Sequence, residues 1–245
     1  MNLQDNSIRL QVYLARAGIA SRRACEDIIR SARVTVNGTI VTEMGTKIIP
    51  GQDIVMVDGQ NVQPEEVLRY VVLHKPSGYV CSLSDEKNRP VAADLVRNRY
   101  PERLYNIGRL DMYSSGILLF TNDGEFAAIV GHPRSGIEKE YIVEASLPFR
   151  DTVIDAFSRG IRIDGVFYKC KSISRLSSRK MAIVLVEGKN REIRRVLEHF
   201  NIRVKSLQRI RFGQVSLNDL PCAEMRDLTE TEILALKGSA HDNSN

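Results

Sequence analysis

The feature that most constrains the fold is the order of the strands and helices predicted between residues 68 and 237. Apolar and alternating patterns mark five candidate strands: Tyr70–His74, Ile117–Thr121, Glu140–Glu144, Gly165–Cys170 and Lys180–Val186. Helical spacing marks four candidate helices: Val91–Asn98, Phe126–Val130, Arg150–Arg159 and Glu192–His199. Because strands and helices do not alternate regularly, this order favours an α+β fold with a mixed sheet over a doubly wound parallel sheet.

The N-terminal part of the chain predicts a separate small unit of two helices and a short sheet. Apolar residues at helical spacing predict a first helix that ends near Gly18. Ser21 is placed to cap a second helix. The pair Asn37-Gly38 lies between two short apolar runs, which is typical of a tight β-hairpin.

Two polar stretches set the predicted domain boundaries. Residues 63–67 contain a proline and two glutamates, and we predict a linker there. Residues 1–62 then form the first domain, residues 68–237 the second, and residues 238–245 a polar tail that need not be ordered. A chain of 245 residues is long enough for a small and a medium-sized domain with a sizeable core.

Cysteine and histidine spacing argues against metal chemistry. The four cysteines are widely separated: Cys25, Cys81, Cys170 and Cys222. The four histidines are also scattered: His74, His132, His199 and His241. No pair has the spacing of a metal site, so reduced thiols without metal or disulfides are predicted. The sequence has neither signal-peptide regions nor a long apolar stretch, and a cytoplasmic protein is therefore expected.

Positive charge is concentrated in two short segments. The first carries six arginines: Arg9, Arg16, Arg22, Arg23, Arg30 and Arg33. The second carries eight basic residues: Lys189, Arg191, Arg194, Arg195, Arg203, Lys205, Arg209 and Arg211. Residues 187–211 have a net charge of +5, equal to that of the whole chain. A single cluster is usually a solvated surface. Two clusters in separate domains favour a nucleic-acid partner, because each phosphate contact releases counterions.

A candidate catalytic carboxylate lies in a turn-rich segment before a predicted strand. The segment Gly108-Arg109-Leu110-Asp111 precedes the apolar run Ile117–Phe120. Active-site side chains are commonly held in this way, on a loop that is braced by a rigid element. A lone aspartate in a loop is usually a turn residue or a helix cap, so the argument for Asp111 depends on the other motifs.

Together, the motifs resemble those of bacterial ribosomal RNA pseudouridine synthases that carry a small N-terminal RNA-binding domain, of the type named after a small-subunit ribosomal protein. The matching N-terminal motifs are Arg9-Leu10, Tyr13-Leu14-Ala15-Arg16-Ala17-Gly18, Ser21-Arg22-Arg23-Ala24 and Val34-Thr35-Val36-Asn37-Gly38. The matching later motifs are His74-Lys75-Pro76-Ser77-Gly78-Tyr79, Gly108-Arg109-Leu110-Asp111 with Ser115-Gly116, Lys139-Glu140-Tyr141, Glu187-Gly188-Lys189-Asn190-Arg191-Glu192-Ile193-Arg194-Arg195, and Arg209-Ile210-Arg211 with Gly213. Gln11 and Val12 depart from the polar, basic pair usual there. The resemblance covers nearly the whole chain and implies a mixed, largely antiparallel catalytic sheet.

The resemblance implies an isomerase that detaches uracil from its ribose, turns it over and reattaches it through carbon, with no cofactor. Asp111 would be the nucleophile, and Arg194 would pair with it. The sequence leaves open whether Asp111 attacks the ribose anomeric carbon or the base ring, or instead assists proton removal from the ribose. Tyr141 would stack on the target base and serve in proton removal, and Ile193 would form an apolar wall of the pocket. From the residues alone, Arg194 also fits a phosphate-binding arginine, and Tyr141 and Ile193 also fit core positions.

The resemblance also implies which residues bind the substrate. Arg109 would hold the flipped nucleotide, although a structural salt bridge fits it as well. Lys75, which shapes a nearby loop, Arg191 and Arg195 complete the predicted substrate-binding set. The predicted contacts of the RNA-binding domain are Arg9, Arg16, Arg22 and Arg23. Residues 190–195 are more similar to members that act on large-subunit ribosomal RNA, and a monomer is expected.

Two other classes of protein fit parts of the sequence. A glycoside or nucleoside hydrolase would use Asp111 with Asp123 or Glu125 as two acids, but it would have no use for the basic segments. A non-catalytic RNA-binding or ribosome-assembly factor would need only the first domain. Within the family that the chain resembles, a small-subunit ribosomal RNA target is the alternative to a large-subunit one.

Overall fold

The computed structural model describes residues 6–242, and the chain divides between Leu68 and Arg69 into two compact units. Residues 1–5, which enter the signal-peptide argument, and residues 243–245, which end the predicted tail, lie outside the described residues. Among the helices described, none is long and apolar enough to cross a membrane.

The first unit has the predicted plan of two helices and a small sheet. Its elements are β1 (Ile8–Arg9), α1 (Leu10–Arg16), α2 (Arg22–Arg30), β2 (Val34–Val36), β3 (Thr39–Ile40), β4 (Lys47–Ile48), β5 (Val55–Val57) and β6 (Gln60–Asn61). Strands β3, β2, β5 and β6 form an antiparallel sheet in that order, and β1 pairs with β4. Asn37 and Gly38 have φ angles of 51° and 83°, which suit the turn of a tight hairpin.

Local sequence signals explain the two helices of the first unit. The Ser21 hydroxyl accepts a hydrogen bond from the Ala24 N–H at 3.2 Å and so caps α2. Leu14 of α1 and Ile29 of α2 are buried in one apolar core with β-strand residues. The opposite face of α2 is left exposed, and the arginines of its first turn lie there.

The second unit contains all nine predicted elements, with ends shifted by at most a few residues. Its strands are β7 (Tyr70–Lys75), β8 (Tyr105–Ile107), β9 (Ser115–Thr121), β10 (Lys139–Ala145), β11 (Ile161–Ile163), β12 (Val166–Tyr168), β13 (Ser172–Ser177), β14 (Lys180–Leu185), β15 (Val204–Phe212), β16 (Val215–Ser216) and β17 (Met225–Asp227). Its α-helices are α3 (Ala92–Arg97), α4 (Gly124–Gly131), α5 (Asp151–Arg159), α6 (Glu192–His199) and α7 (Glu230–Asp242). A short 3₁₀ turn, Pro133–Ser135, follows α4.

The second unit is built on one large mixed sheet. Among the described residues the strand order is β13-β14-β10-β15-β9-β7-β17, with β16 paired to β15 and β8 to β9. Only β9 and β15 run parallel, and the other neighbours in this sheet are antiparallel. The predicted α+β class with a mixed, largely antiparallel catalytic sheet is confirmed.

The predicted polar tail of residues 238–245 is corrected by the last helix. Helix α7 continues to Asp242, so residues 238–242 are helical. The apolar side chain of Leu236 and the small side chain of Ala240 are buried in the core beside α4 and β15, which anchors this helix. This mostly polar segment is therefore helical because its few apolar side chains pack against the core.

The single parallel contact brings the segment before β9 against β15. Gly116 lies opposite Arg209 in the register of these two strands. Its φ of 105° favours glycine, and a Cβ atom at this position would lie only 2.1 Å from the Arg209 carbonyl oxygen. The missing side chain is thus what allows the two backbones to approach so closely.

Strand β15 also carries a β-bulge opposite β10. Glu140 pairs with Arg211, but its neighbour Tyr141 pairs with Arg209, so Ile210 is the extra residue. Side chains normally alternate between the two faces of a strand, and residues three apart therefore point to opposite faces. The bulge resets this alternation and brings Arg209 and Phe212 to the same face.

Candidate active site

The second unit contains a cavity of about 210 Å³ near the first residues of β10. Its lining is formed by residues from five segments of the chain, which lie within 108–114, 130–133, 139–141, 185–193 and 207–212. Asp111, Tyr141 and Ile193 are all in this lining, although they are far apart in the sequence. Folding therefore brings three of the predicted site residues to one place.

Asp111 lies in the loop that joins β8 to β9. The loop is held by its own backbone, because the Met112 carbonyl accepts a hydrogen bond from the Gly78 N–H at 2.8 Å. The Leu110 N–H donates to the Cys81 sulfur at 3.2 Å. The Asp111 side chain is 28% exposed, so its carboxylate remains accessible from the cavity. A reactive carboxylate needs such a fixed but open position.

Lys75 lies beneath this loop and is completely buried. Its ammonium group donates to three backbone carbonyls, those of Pro76 at 2.9 Å, Met112 at 3.3 Å and Ser114 at 2.7 Å. Burial lowers the pKa of Lys75 to about 8, while the negative charge of Asp111 opposes that shift. The predicted contact of Lys75 with substrate is corrected, because its side chain is outside the cavity lining and serves to position the loop.

Arg194 of α6 faces Asp111 and also holds the loop. Its Nη2 donates to the Tyr113 carbonyl at 2.8 Å and to the Ser114 hydroxyl at 3.3 Å. Its Nε is buried and without a hydrogen bond, and the Asp111 Oδ2 atom lies 3.5 Å from it. Burial lowers the pKa of Arg194, and the Asp111 carboxylate opposes this change. The pair is thus a charged contact that a small closure would turn into a hydrogen bond.

Tyr141 and Ile193 form two walls of the cavity. Tyr141 is 9% exposed and Ile193 is 3% exposed, and both belong to the apolar core that surrounds β10 and α6. The Tyr141 hydroxyl makes no hydrogen bond to any described residue. An aromatic ring and an apolar side chain at the lining suit a flat heterocyclic base, and the free hydroxyl provides a polar handle beside it.

The other predicted binding residues differ in their access to the cavity. Arg109 and Arg191 are exposed and contribute to the lining, which puts them at the mouth. Arg191 has a left-handed backbone, with φ of 52°, and forms a 2.8 Å ion pair with Glu198. Arg195 is exposed on α6 but is not part of the lining, so any contact with a ligand there would be outside the cavity.

In the first unit, the predicted RNA-contacting arginines are arranged on the surface. Arg9, Arg22 and Arg23 are exposed, whereas Arg16, at the end of α1, is half-buried. The neighbouring Arg30 is different, because it forms a 2.8 Å ion pair with Asp27. The first turn of α2 therefore presents two adjacent guanidinium groups to solvent.

The two-acid alternative has no geometric support. Asp123 accepts hydrogen bonds from the N–H groups of Glu125 and Phe126, each at 3.0 Å, and caps α4. It also accepts a hydrogen bond from the Tyr70 hydroxyl at 2.7 Å. Neither Asp123 nor Glu125 is in the lining of the cavity that contains Asp111.

Six ionisable residues of the lining were missing from the predicted set: His132, Lys139, Glu187, Lys189, Glu192 and Arg209. Glu192 is 4% exposed and accepts a hydrogen bond from the Lys189 N–H at 3.1 Å, which ties the loop before α6 to the helix. Burial raises the pKa of Glu192. Lys139 is two residues before Tyr141 on β10, a spacing that could have identified it, because such residues share one face of a strand.

Comparison with known families agrees with this geometry. The model of a family described as RNA pseudouridylate synthase matches residues 69–199, and the model of the S4 domain matches residues 8–54. The first match covers more than half of the chain. The protein therefore belongs to the RNA pseudouridylate synthase family and carries an S4 domain, which confirms the resemblance found in the sequence.

Individual relatives are similar over nearly the whole chain. The "Ribosomal large subunit pseudouridine synthase B" of Bacillus subtilis is 37% identical, over 97% of this chain and 98% of the relative. The "Dual-specificity RNA pseudouridine synthase RluF" of Escherichia coli K12 is 37% identical, over 96% of this chain and 80% of the relative. A crystal structure of a pseudouridylate synthase superimposes with a TM-score of 0.67 at 27% identity, covering 94% and 99% of the two chains.

Proposed function

We propose that this enzyme converts a specific uridine of large-subunit ribosomal RNA to pseudouridine, with Asp111 as the nucleophile. The observation that carries the proposal is the Asp111–Arg194 pair at a cavity that is also lined by Tyr141 and Ile193. The names of the Bacillus subtilis and Escherichia coli relatives support an RNA substrate, and the first of them supports the large subunit.

The reaction exchanges one bond for another within a single nucleotide. The bond between N1 of uracil and C1′ of ribose breaks, and a bond between C5 and C1′ forms after the ring has turned. One proton leaves C5 and one is gained at N1, so the product is an isomer of the substrate. Asp111 supplies the nucleophile, since an ionised carboxylate can form and release a covalent intermediate.

The neighbours of Asp111 support this role. Arg194 holds the carboxylate in position, since its Nε lies 3.5 Å from the Asp111 Oδ2 atom. Tyr141 stacks on the uracil, and its phenol oxygen, in the ionised form, takes the proton that leaves C5. Ile193 closes the other side of the base and excludes water.

A uridine within folded RNA must leave its stack to enter this cavity, so the proposal includes base flipping. Arg109 and Arg191 at the mouth hold the extruded nucleotide through its phosphates. The exposed arginines of the S4 domain add sequence-independent affinity for RNA. We expect the enzyme to work in the cytoplasm as a monomer and without a cofactor.

The test is a map of pseudouridines in both ribosomal RNAs of cells that lack the protein. We expect one large-subunit site to disappear, to return with the wild type, and to stay absent with Asp111→Asn, which should still bind RNA. Asp123→Asn is the matched control, because asparagine also caps a helix well and should restore the site.

Each other result has a definite meaning. A lost small-subunit site would keep the chemistry and change the target. No lost site, or rescue by Asp111→Asn, would overturn catalysis by Asp111 and favour a non-catalytic RNA-binding factor. Release of free uracil from incubated RNA would favour the hydrolase.

A further inference from the structure

Two cations in the cavity lining are at least partly buried and form no ion pair with a described residue: Lys139 and Arg209. The Lys139 ammonium donates one hydrogen bond, to the Val186 carbonyl at 2.7 Å, and its other two protons have no acceptor among the described residues. Within residues 6–242, no carboxylate oxygen lies at ion-pair distance from this ammonium group. Lys139 and Tyr141 share one face of β10, so the ammonium group lies beside the ring proposed to stack on the base.

Arg209 is 3% exposed and is held by a single acceptor. Its Nε and Nη2 donate to the Ile117 carbonyl at 2.8 Å and 2.6 Å. Its Nη1 makes no hydrogen bond to a described residue. The guanidinium carbon lies 5.2 Å from the centre of the Phe212 ring, and the Lys139 ammonium lies 5.7 Å from the same centre. The two positive charges are therefore gathered around one aromatic ring by the bulge at Ile210.

Lys139 and Arg209 are less exposed than Arg109 at the mouth, and they differ from the remaining lysines and arginines of the site, which face a counter-charge. Arg194 faces Asp111, Arg191 pairs with Glu198, and Lys189 pairs with Glu187. A buried cation without such a partner is unfavourable, because it loses hydration without electrostatic compensation. Burial, reinforced by the charge of Arg209, lowers the pKa of Lys139 to about 8, and the more distant Glu187 and Glu192 oppose this shift.

An uncompensated positive region inside a reaction cavity is suited to a ligand that brings the missing negative charge. We propose that Lys139 and Arg209 form an anion subsite that binds a negatively charged oxygen of the target nucleotide. The inference rests on the proposed function and adds to it two residues that act on the substrate directly.

Two parts of the nucleotide can supply such an oxygen. One is the phosphate group next to the flipped uridine, which is charged throughout the reaction. The other is a carbonyl oxygen of uracil. When the N1–C1′ bond breaks and Asp111 bonds to C1′, the electron pair of the broken bond stays on the uracil ring, and its oxygens become negative. A cation is especially effective where charge develops during the reaction.

The experiment compares Lys139→Met with Lys139→Arg in the full-length enzyme. The rate of pseudouridine formation is measured under single-turnover conditions, on the ribosomal RNA fragment that contains the mapped uridine. We expect the methionine variant to be roughly 10- to 100-fold slower, because it keeps the volume of the side chain and removes the charge. The arginine variant should recover most of the rate.

Lys180→Met is the matched control. Lys180 also begins a strand of the same sheet, but it is exposed and lies near Glu144, outside the cavity lining. Its variant should react at the wild-type rate. Thermal unfolding of all variants checks that the fold is kept. Arg209 is left unchanged, because its hydrogen bonds to Ile117 join two strands and its loss would disturb the sheet.

Modified RNAs identify which oxygen is bound. If it belongs to phosphate, neutral methylphosphonate linkages beside the target should slow the wild type and leave Lys139→Met no slower than before. If it belongs to uracil, these linkages should have little effect. A 5-fluorouridine target, whose fluorine stabilises the ring anion, should then reduce the loss caused by Lys139→Met. Because its C5 carries fluorine in place of the proton that leaves, the reaction of this RNA is followed as the disappearance of 5-fluorouridine. Either pattern supports the anion subsite.

Two results would overturn the inference alone: a Lys139→Met rate within twofold of the wild type on every RNA, or an equal loss on all three RNAs. The second would mean that Lys139 supports the fold of the site rather than an anion. A wild-type enzyme that forms no pseudouridine would overturn the proposed function and this inference with it.

Discussion

The two units of the protein use the same type of side chain in opposite ways. In the S4 domain, Arg22 and Arg23 are exposed side by side on α2. In the catalytic domain, Lys75, Arg194 and Arg209 are buried, and each of them donates to at least one backbone carbonyl. These positively charged side chains are therefore exposed to solvent in the first unit and buried in the second.

This difference separates capture of the RNA from the chemistry. Exposed cations attract phosphates over a distance, and salt weakens that attraction. Buried cations are screened much less. In this protein they donate hydrogen bonds that hold the backbone beside the cavity. Substitutions in the first group should therefore change binding and its salt dependence, whereas substitutions in the second should change the rate of the chemical step.

The largest effect is expected for Arg194→Met. It removes the charge opposite Asp111 and the hydrogen bond to the Tyr113 carbonyl, so kcat should fall roughly 10²- to 10³-fold, with little change in RNA affinity. Steady-state kinetics and RNA binding test this expectation. Arg195→Met is the comparison, because Arg195 is the exposed neighbour, and it should affect affinity only. A larger loss of kcat in Arg195→Met would reverse the two assignments.

Lys75→Met should have the next largest effect. Three backbone carbonyls around the Asp111 loop would lose their donor, which should lower the free energy of unfolding by about 1–3 kcal/mol and kcat by roughly tenfold or more. KM should change little, since the side chain is outside the cavity. Urea unfolding and kinetics provide the measurement. A rise in KM with an unchanged kcat would instead restore a substrate-binding role for Lys75.

Alkaline pH should reduce the activity of the enzyme. The same loss of charge on Lys75 should increase its contribution to the free energy of unfolding. Lys139 and Lys75, each with a pKa of about 8, lose their charge above that pH, so kcat should decline there. In Lys139→Arg the part of this decline due to residue 139 should move to higher pH, because arginine stays protonated. A profile identical to that of the wild type would remove Lys139 from the pH dependence.

The direction in which the free energy of unfolding changes with pH follows from the protons that Lys75 binds in the folded and unfolded states. Lys75 titrates near 8 in the folded protein and at its ordinary 10.5 when unfolded, so the unfolded chain binds more protons between these values. The penalty for burying this charge is complete below pH 8 and fades as the pH rises to 10.5. Relative to Lys75→Met, the wild type should therefore gain stability across this window, as urea unfolding at several pH values would show.

The smallest effect is expected in the S4 domain. The double change Arg22→Gln and Arg23→Gln should raise KM a few-fold, leave kcat unchanged, and reduce the slope of log affinity against log salt by roughly one for each lost phosphate contact. Arg30→Gln is a control of the same chemistry, because Arg30 is already paired with Asp27. An unchanged salt slope in the double variant would place the RNA elsewhere.

Local signals made much of the fold predictable. The cap at Ser21 and the turn at Asn37-Gly38 are each defined by a few neighbouring residues, and the structure contains both. Helix α6 begins and ends where the apolar spacing indicates. The closeness of Asp111 and Arg194 followed from the order of family motifs, since no local pattern connects residues so far apart.

Features that depend on distant partners were not predictable in the same way. The complete burial of Lys75 contradicts the usual exposure of lysine, and it is possible only because three carbonyls satisfy the ammonium group, two of them from the distant Asp111 loop. The helix over residues 238–242 depends on core contacts that a polar composition conceals. The position of Arg209 in the cavity depends on the β-bulge at Ile210, and no local sequence pattern predicts this bulge.

Because of this bulge, the presence of a residue at position 210 matters more than which residue it is. Substituting Ile210 changes a side chain but keeps the number of residues between Arg209 and Phe212. Deleting Ile210 would restore regular strand pairing, and the side chain of either Arg209 or Phe212 would then point away from the cavity. Chain length at this point, rather than the identity of the residue, decides which groups meet the substrate. A design that places the proposed anion subsite on another sheet would need that one extra residue as well as the two cations.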